Sequence, residues 1–277
     1  MSVFEAVILG LVQGLAEFLP ISSSGHLALL EYFFDIEGES VLSFAVMLHV
    51  GTLISVFAVY WKDILALIYE LCRVIKDIFT GKGLRVNVNS TRKLGFLLIV
   101  ASIPTGIMGV LLNDMFSAMY LSLKAIGSGF LITGTLLFVA ERIGSNRNEI
   151  REMKFKSAFF VGICQGVAIW PGISRSGATI FGSLMGGLTR TDAVRFAFLL
   201  SIPVIMGSAL LEAPKVFAEG VGAAMAAPVV IGMAVAAVSG FFAIKTMIKA
   251  VSNKKLLGFS VYTWILGVIV LAYTFIL

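Results

Sequence analysis

The residues of this chain best suited to handling an anion lie in two short stretches. Residues 10–26 read GLVQGLAEFLPISSSGH and residues 162–178 read GICQGVAIWPGISRSGA. Aligned without a gap so that Gly10 falls on Gly162, the copies agree at Gln13/Gln165, Gly14/Gly166, Ile21/Ile173, Ser22/Ser174, Ser24/Ser176 and Gly25/Gly177. They differ in chemistry: Glu17 faces Ile169, Ser23 faces Arg175 and His26 faces Ala178. A serine-rich turn that opens a helix presents free backbone N–H groups and hydroxyls suited to phosphate oxygens. Arg175 adds a planar fork able to hold two such oxygens at once. The ligand expected is therefore a phosphate ester or anhydride, held by Ser22, Ser24, Ser174, Ser176 and Arg175.

Gln13 and Glu17 are four apart and share one helix face. A carboxylate beside phosphates repels them unless a cation lies between, so Glu17 is expected to hold Mg²⁺ or Ca²⁺, with Gln13 as a neutral oxygen ligand. His26 lies three residues after Ser23 and is one of two histidines, which makes it the expected proton shuttle. A serine beside a histidine and an arginine is a nucleophile arrangement. Residues shared by both copies suit what both copies do, forming the turn and binding phosphate. Ser23 and His26 occur in one copy only, as expected of a step that happens once, and the repeat sets Ser23 opposite Arg175.

Each feature has a plainer reading. Gly10, Gly14, Gly162 and Gly166 are also what close helix crossings in membranes use. Glu17 and Arg175 could simply neutralise each other. Gln165, in the copy without the acid, reads as structural. His49, within LHVGT, reads as a helix-packing residue, and Asp192 and Arg195 read as an i,i+3 pair.

The elements that must position these residues are membrane elements. Of 277 residues 58% are hydrophobic and 13% charged, against about 25% charged in soluble domains. The net charge of +5 is spread over segments between apolar runs and forms no patch for nucleic acid. The chain has no Lys or Arg before Lys62, so the n-region of a cleavable signal peptide is missing and residue 1 is taken as mature. A span needs about 20 apolar residues. Residues 3–36 are broken at Pro20 and the serines and predict a re-entrant hairpin, as do residues 157–187, broken at Pro171, Gly172 and Gly177. Non-helical backbone at that depth implies a cavity.

Six spans are expected at 41–60, 94–112, 121–140, 189–211, 223–244 and 256–276. Residues 63–79 predict a surface amphipathic helix, with a half-buried span as the alternative, and 113–114 a turn. Loops are expected at 81–93, 142–156 and 245–255. The fold expected is thus an all-α polytopic membrane protein of two repeats, 1–141 and 154–277, forming one membrane domain. Each repeat holds one hairpin and three spans, an odd number of crossings that inverts the second repeat. Basic residues in 62–93, 142–156 and 245–255 then share one face, which the positive-inside rule makes cytoplasmic. Both termini and the chamber face outward. Inverted repeats with broken helices are a transporter-like plan, so a polyprenyl-phosphate flippase or carrier without hydrolysis is the competing reading.

QGLAEFLPISSSGH and WPGISRSGAT resemble the two signatures of the undecaprenyl pyrophosphate phosphatases, the bacitracin-resistance family, and the likeness runs from end to end. It implies that Gln13 and Glu17 form the acidic motif, with Gln13 where Glu is frequent. Ser23 and His26 become the nucleophile candidates, and Ser174, Arg175, Ser176 and Thr179 the phosphate-binding motif. The implied reaction hydrolyses undecaprenyl pyrophosphate to the monophosphate and phosphate, recycling the lipid carrier of cell-wall synthesis at the outer face of the cytoplasmic membrane. Bacitracin would oppose it indirectly by sequestering the substrate, and a homodimer is compatible with the pattern. Type 2 phosphatidic acid phosphatases also carry Ser-Gly-His and Ser-Arg motifs, but the histidine and the aspartate they need after that arginine are absent: Phe181 and Met185 stand there.

Overall fold

The computed structural model describes residues 2–34, 39–143, 148–219 and 223–276. The end of the first expected hairpin (35–36) and part of the junction between the repeats (144–147) lie outside them. Eleven α-helices are present among the described residues, and no β-sheet. Five are long and apolar enough to cross a membrane, and the chain is a multi-pass membrane protein.

α1 (Val3–Phe18) opens on a capping box, Ser2 and Glu5 each taking the other's backbone N–H. It stops because Leu19 precedes Pro20, which forces Leu19 into extended backbone. α2 (Ser23–Phe33) starts on the N-cap Ser22, whose hydroxyl accepts the Gly25 N–H. The second copy repeats the plan. α7 (Phe155–Val167) ends before Pro171, and α8 (Arg175–Met185) starts on Ser174, whose hydroxyl accepts the Gly177 N–H. At 16, 11, 13 and 11 residues these four helices are each too short to span.

The longer elements are α3 (Glu39–Phe79), α4 (Ser90–Leu111), α6 (Leu123–Arg142), α9 (Arg190–Glu219) and α10 (Ala223–Ser252). α5 (Asn113–Tyr120) and the 17-residue α11 (Leu257–Tyr273) complete the set. Two expectations are corrected here, and the boundary expected after residue 60 stands. α3 joins two helices across a kink at Tyr60, whose backbone is not helical (φ −107°, ψ 23°), and the second of them, over 63–79, carries no Gly or Pro. Buried Arg92 staples its far end to α4, donating to Glu70 at 3.0 Å and to Asp77 at 2.7 Å. The expected turn at Asn113 and Asp114 is the start of α5, and the expected loop at 245–255 is helical through Ser252.

Packing crosses the repeats. α1 lies along α10, and its counterpart α7 lies along α4; α6 pairs with its counterpart α11, and α3 with α9. Small residues permit this. A Cβ on Gly10 would come within 2.5 Å of the Gly232 carbonyl oxygen, so the packing reading holds for that glycine. The tip of the first hairpin is fixed by Phe18, which meets Phe198 of α9 edge-on at 5.5 Å. Outward, Val110 and Leu111 of α4 and Ile265, Val268 and Ile269 of α11 are each more than half exposed, as expected of surface solvated by lipid tails.

Candidate active site

Ser23 and Arg175 are equivalent positions of the repeat, and each is the first residue of its helix. Both line one cavity of about 220 Å³, together with Glu17, Ser24 and Ser174. Glu17 is its chemical centre, with a side chain only 2% exposed. One carboxylate oxygen, Oε1, pairs directly with Arg175. The other, Oε2, accepts from the Ser23 hydroxyl at 2.7 Å and from Gln13 Nε2 at 3.0 Å. The ion pair considered from sequence is therefore present, and it leaves other Arg175 N–H groups available to an anion. Ser23 Oγ already donates to a carboxylate, the arrangement that activates a hydroxyl for attack.

Several residues expected at the ligand lie elsewhere. Gln13 is behind Glu17, fully buried. The Ser22 hydroxyl caps α2 and contacts Ser24 Oγ at 3.3 Å. Ser176 Oγ meets Ser174 Oγ at 3.1 Å and the Leu19 carbonyl at 3.5 Å. Thr179 Oγ1 donates to carbonyls of its own helix, those of Arg175 at 2.8 Å and Ser176 at 3.1 Å. His26, the expected shuttle, turns from Ser23: its Nδ1 is 2.8 Å from the Ser22 carbonyl and its Nε2 2.7 Å from the Tyr262 hydroxyl.

Sequence reasoning missed the other histidine. His49 of α3 lines the cavity, its Nδ1 donating to the Ala45 carbonyl at 2.8 Å and its Nε2 3.5 Å from Glu17 Oε2. Gln165, read as structural, is also in the wall, with its amide nitrogen 3.0 Å from Thr105 Oγ1. Nothing in LHVGT marks His49, because its partner lies on another helix. Arg195 does not pair with Asp192 as expected: it reaches Asp63 at 2.5 Å, tying α9 to α3 just past the kink.

For a divalent cation the donor set is thin. No group of three or more His, Cys, Asp or Glu gathers among the described residues. Gln13 Oε1, however, is buried beside Glu17 without a hydrogen-bond partner, an acceptor that a cation would satisfy. Glu17 and Gln13 thus fit a Mg²⁺ or Ca²⁺ that draws its remaining ligands from phosphate and water.

Fold and cavity define a class: an all-helical, multi-pass membrane protein whose internal repeat brings a carboxylate, a serine and an arginine to one chamber. The family model described as "Bacitracin resistance protein BacA" matches residues 6–269. Similar proteins include the undecaprenyl-diphosphatase of Alkaliphilus metalliredigens, 46% identical over 99% of both chains. That of Halothermothrix orenii is 40% identical over 98% of both, and that of Methanosphaera stadtmanae 38% identical over the full length of both. The chain belongs to the BacA bacitracin-resistance family.

Proposed function

We propose that the chain is an undecaprenyl-diphosphatase, a hydrolase that cleaves the terminal phosphate from undecaprenyl diphosphate in the membrane, with Ser23 as attacking group. One observation carries the assignment of roles: Ser23 Oγ donates to Glu17 Oε2 at 2.7 Å while Arg175 holds the other carboxylate oxygen. In this reading Arg175, Ser174 and the amides opening α2 and α8 bind the terminal phosphate and stabilise charge on its oxygens. Ser23 Oγ attacks the terminal phosphorus and its proton passes to Glu17. The anhydride P–O bond breaks, and the prenyl monophosphate leaves with that proton. Water then attacks the phosphoserine; Glu17 takes the water's proton and returns it to Ser23 Oγ as phosphate departs. Glu17 and Gln13 would hold a divalent cation, which would supply charge neutralisation for the diphosphate.

The same reading arranges the helices as two re-entrant hairpins, α1–α2 and α7–α8, and six spans, with α11 the sixth, in an inverted repeat. Supporting it, α1 lies on α10 as α7 lies on α4. The Lys and Arg of 62–93, 142–156 and 245–255 then face the cytoplasm and the chamber opens outward. Purified protein in detergent, given a soluble short-chain prenyl diphosphate and Mg²⁺ or Ca²⁺, is expected to release inorganic phosphate. Well-folded protein that binds the substrate and releases none is a polyprenyl-phosphate carrier instead.

A further inference from the structure

The two copies of the repeat bend differently before their second helix. In the second copy the left-handed residue is Gly172 (φ 88°), and Ser174 is relaxed at φ −74°, ψ 117°. Pro20 stands where Gly172 would fall in the first copy, and its ring forbids positive φ. The left-handed residue is instead Ser22 (φ 71°, ψ 99°), an unfavourable backbone for a residue with a Cβ. The copy with the strained serine is also the copy with the histidine; the relaxed copy has Ala178 there.

His26 grips that serine. Its backbone N–H and its ring Nδ1 both reach the Ser22 carbonyl, at 3.3 and 2.8 Å. A carbonyl only accepts, so Nδ1 carries the proton, and in the neutral ring Nε2 accepts from the Tyr262 hydroxyl at 2.7 Å. The Tyr262 ring lies parallel to the imidazole at 5.8 Å and Phe130 meets it edge-on at 5.2 Å. Both ring nitrogens are engaged, and neither is engaged by Ser23.

We propose that His26 is a positioning residue: its imidazole, anchored from α11 by Tyr262, clamps the Ser22 carbonyl and holds the left-handed bend that presents the Ser23 hydroxyl to the cavity. This rests on Ser23 as the attacking group. Ser22→Gly removes the strain, since glycine takes positive φ freely, and keeps most of the capping preference.

The test is a double-mutant cycle on kcat, with circular dichroism and thermal melting as fold checks. His26→Ala in the native background lowers kcat ~100-fold, as expected of a displaced reacting group. In the Ser22→Gly background the same change costs about tenfold less, because the clamped strain is gone. The pH profile of kcat keeps its shape in both. If His26→Ala does not fold, Tyr262→Phe in the two backgrounds carries the same comparison. Equal cost in both backgrounds, or a limb of the pH profile that disappears with His26, overturns the clamp and makes His26 an acid or base. An active Ser23→Ala variant is a different failure, that of the attacking-group reading.

Discussion

Glu17→Gln is the perturbation that separates the chemistry of this cavity from its packing. The substitution is nearly isosteric: the amide oxygen can still accept from Ser23 and Gln13, while the amide nitrogen, a donor, faces Arg175 in place of Oε1. What it removes is the negative charge that accepts the Ser23 proton at 2.7 Å and balances Arg175. Loss of a positioned base costs about 10²–10⁴-fold in rate, which is ~3–5 kcal/mol in the barrier at roughly 1.36 kcal/mol per tenfold. Measured as phosphate release from a soluble prenyl diphosphate at saturating Mg²⁺, kcat should fall within that range. A modest drop in Tm should accompany it, because Arg175 keeps a route to water: its side chain is 19% exposed. Since Ser23 and Glu17 act as one unit, Glu17→Gln added to Ser23→Ala should cost almost nothing more. A folded Glu17→Gln protein within tenfold of the wild-type kcat, or fully additive losses in the double variant, would refute the assignment.

Arg175→Lys should be nearly as damaging as Arg175→Ala, because an ammonium cannot keep Glu17 and also span two phosphate oxygens; phosphate release by a Lys variant at the wild-type rate contradicts the fork. His49→Phe should lower kcat about fivefold, the ~1 kcal/mol of one polar contact, without changing Tm; a kcat equal to wild type removes His49 from the site. Gly10→Val should lower stability by about 1–3 kcal/mol as an overpacked crossing, read as a lower Tm in detergent. An unchanged melt means that α1 and α10 do not approach as closely as described.

Ser23 and Arg175 could be placed opposite each other from the sequence because the gapless repeat makes them equivalent positions, and the serine turns mark where both helices start. Glu17 was legible as their neighbour because it lies four residues after Gln13, on the helix face that leads into the first serine turn. The partners of His26, His49 and Arg195 were not. Tyr262 is 236 residues from His26 and Asp63 is 132 from Arg195, and no local pattern encodes such pairings. His26 misled because three-residue spacing suggests a shared helix face with Ser23. The ring instead folds back on the i−4 carbonyl of Ser22, as the His49 ring does on that of Ala45. Helix ends failed where composition was read as a boundary. Lys245 and Lys249 looked like a loop, yet α10 continues until Asn253 and Lys254, the latter at φ 52°. The boundary expected between residues 60 and 63 fares better, since the non-helical Tyr60 kinks α3 there.

If Ser23 is the attacking group, the terminal phosphate is carried covalently on its hydroxyl during turnover. Rapid acid quench of the enzyme with soluble prenyl diphosphate, followed by peptide mass spectrometry, tests it directly. Phosphate is expected on the peptide carrying Ser22, Ser23 and Ser24, localised to Ser23 and lost in Ser23→Ala together with turnover. A phosphohistidine at His26, or a Ser23→Ala protein that still releases phosphate at a substantial rate, contradicts it.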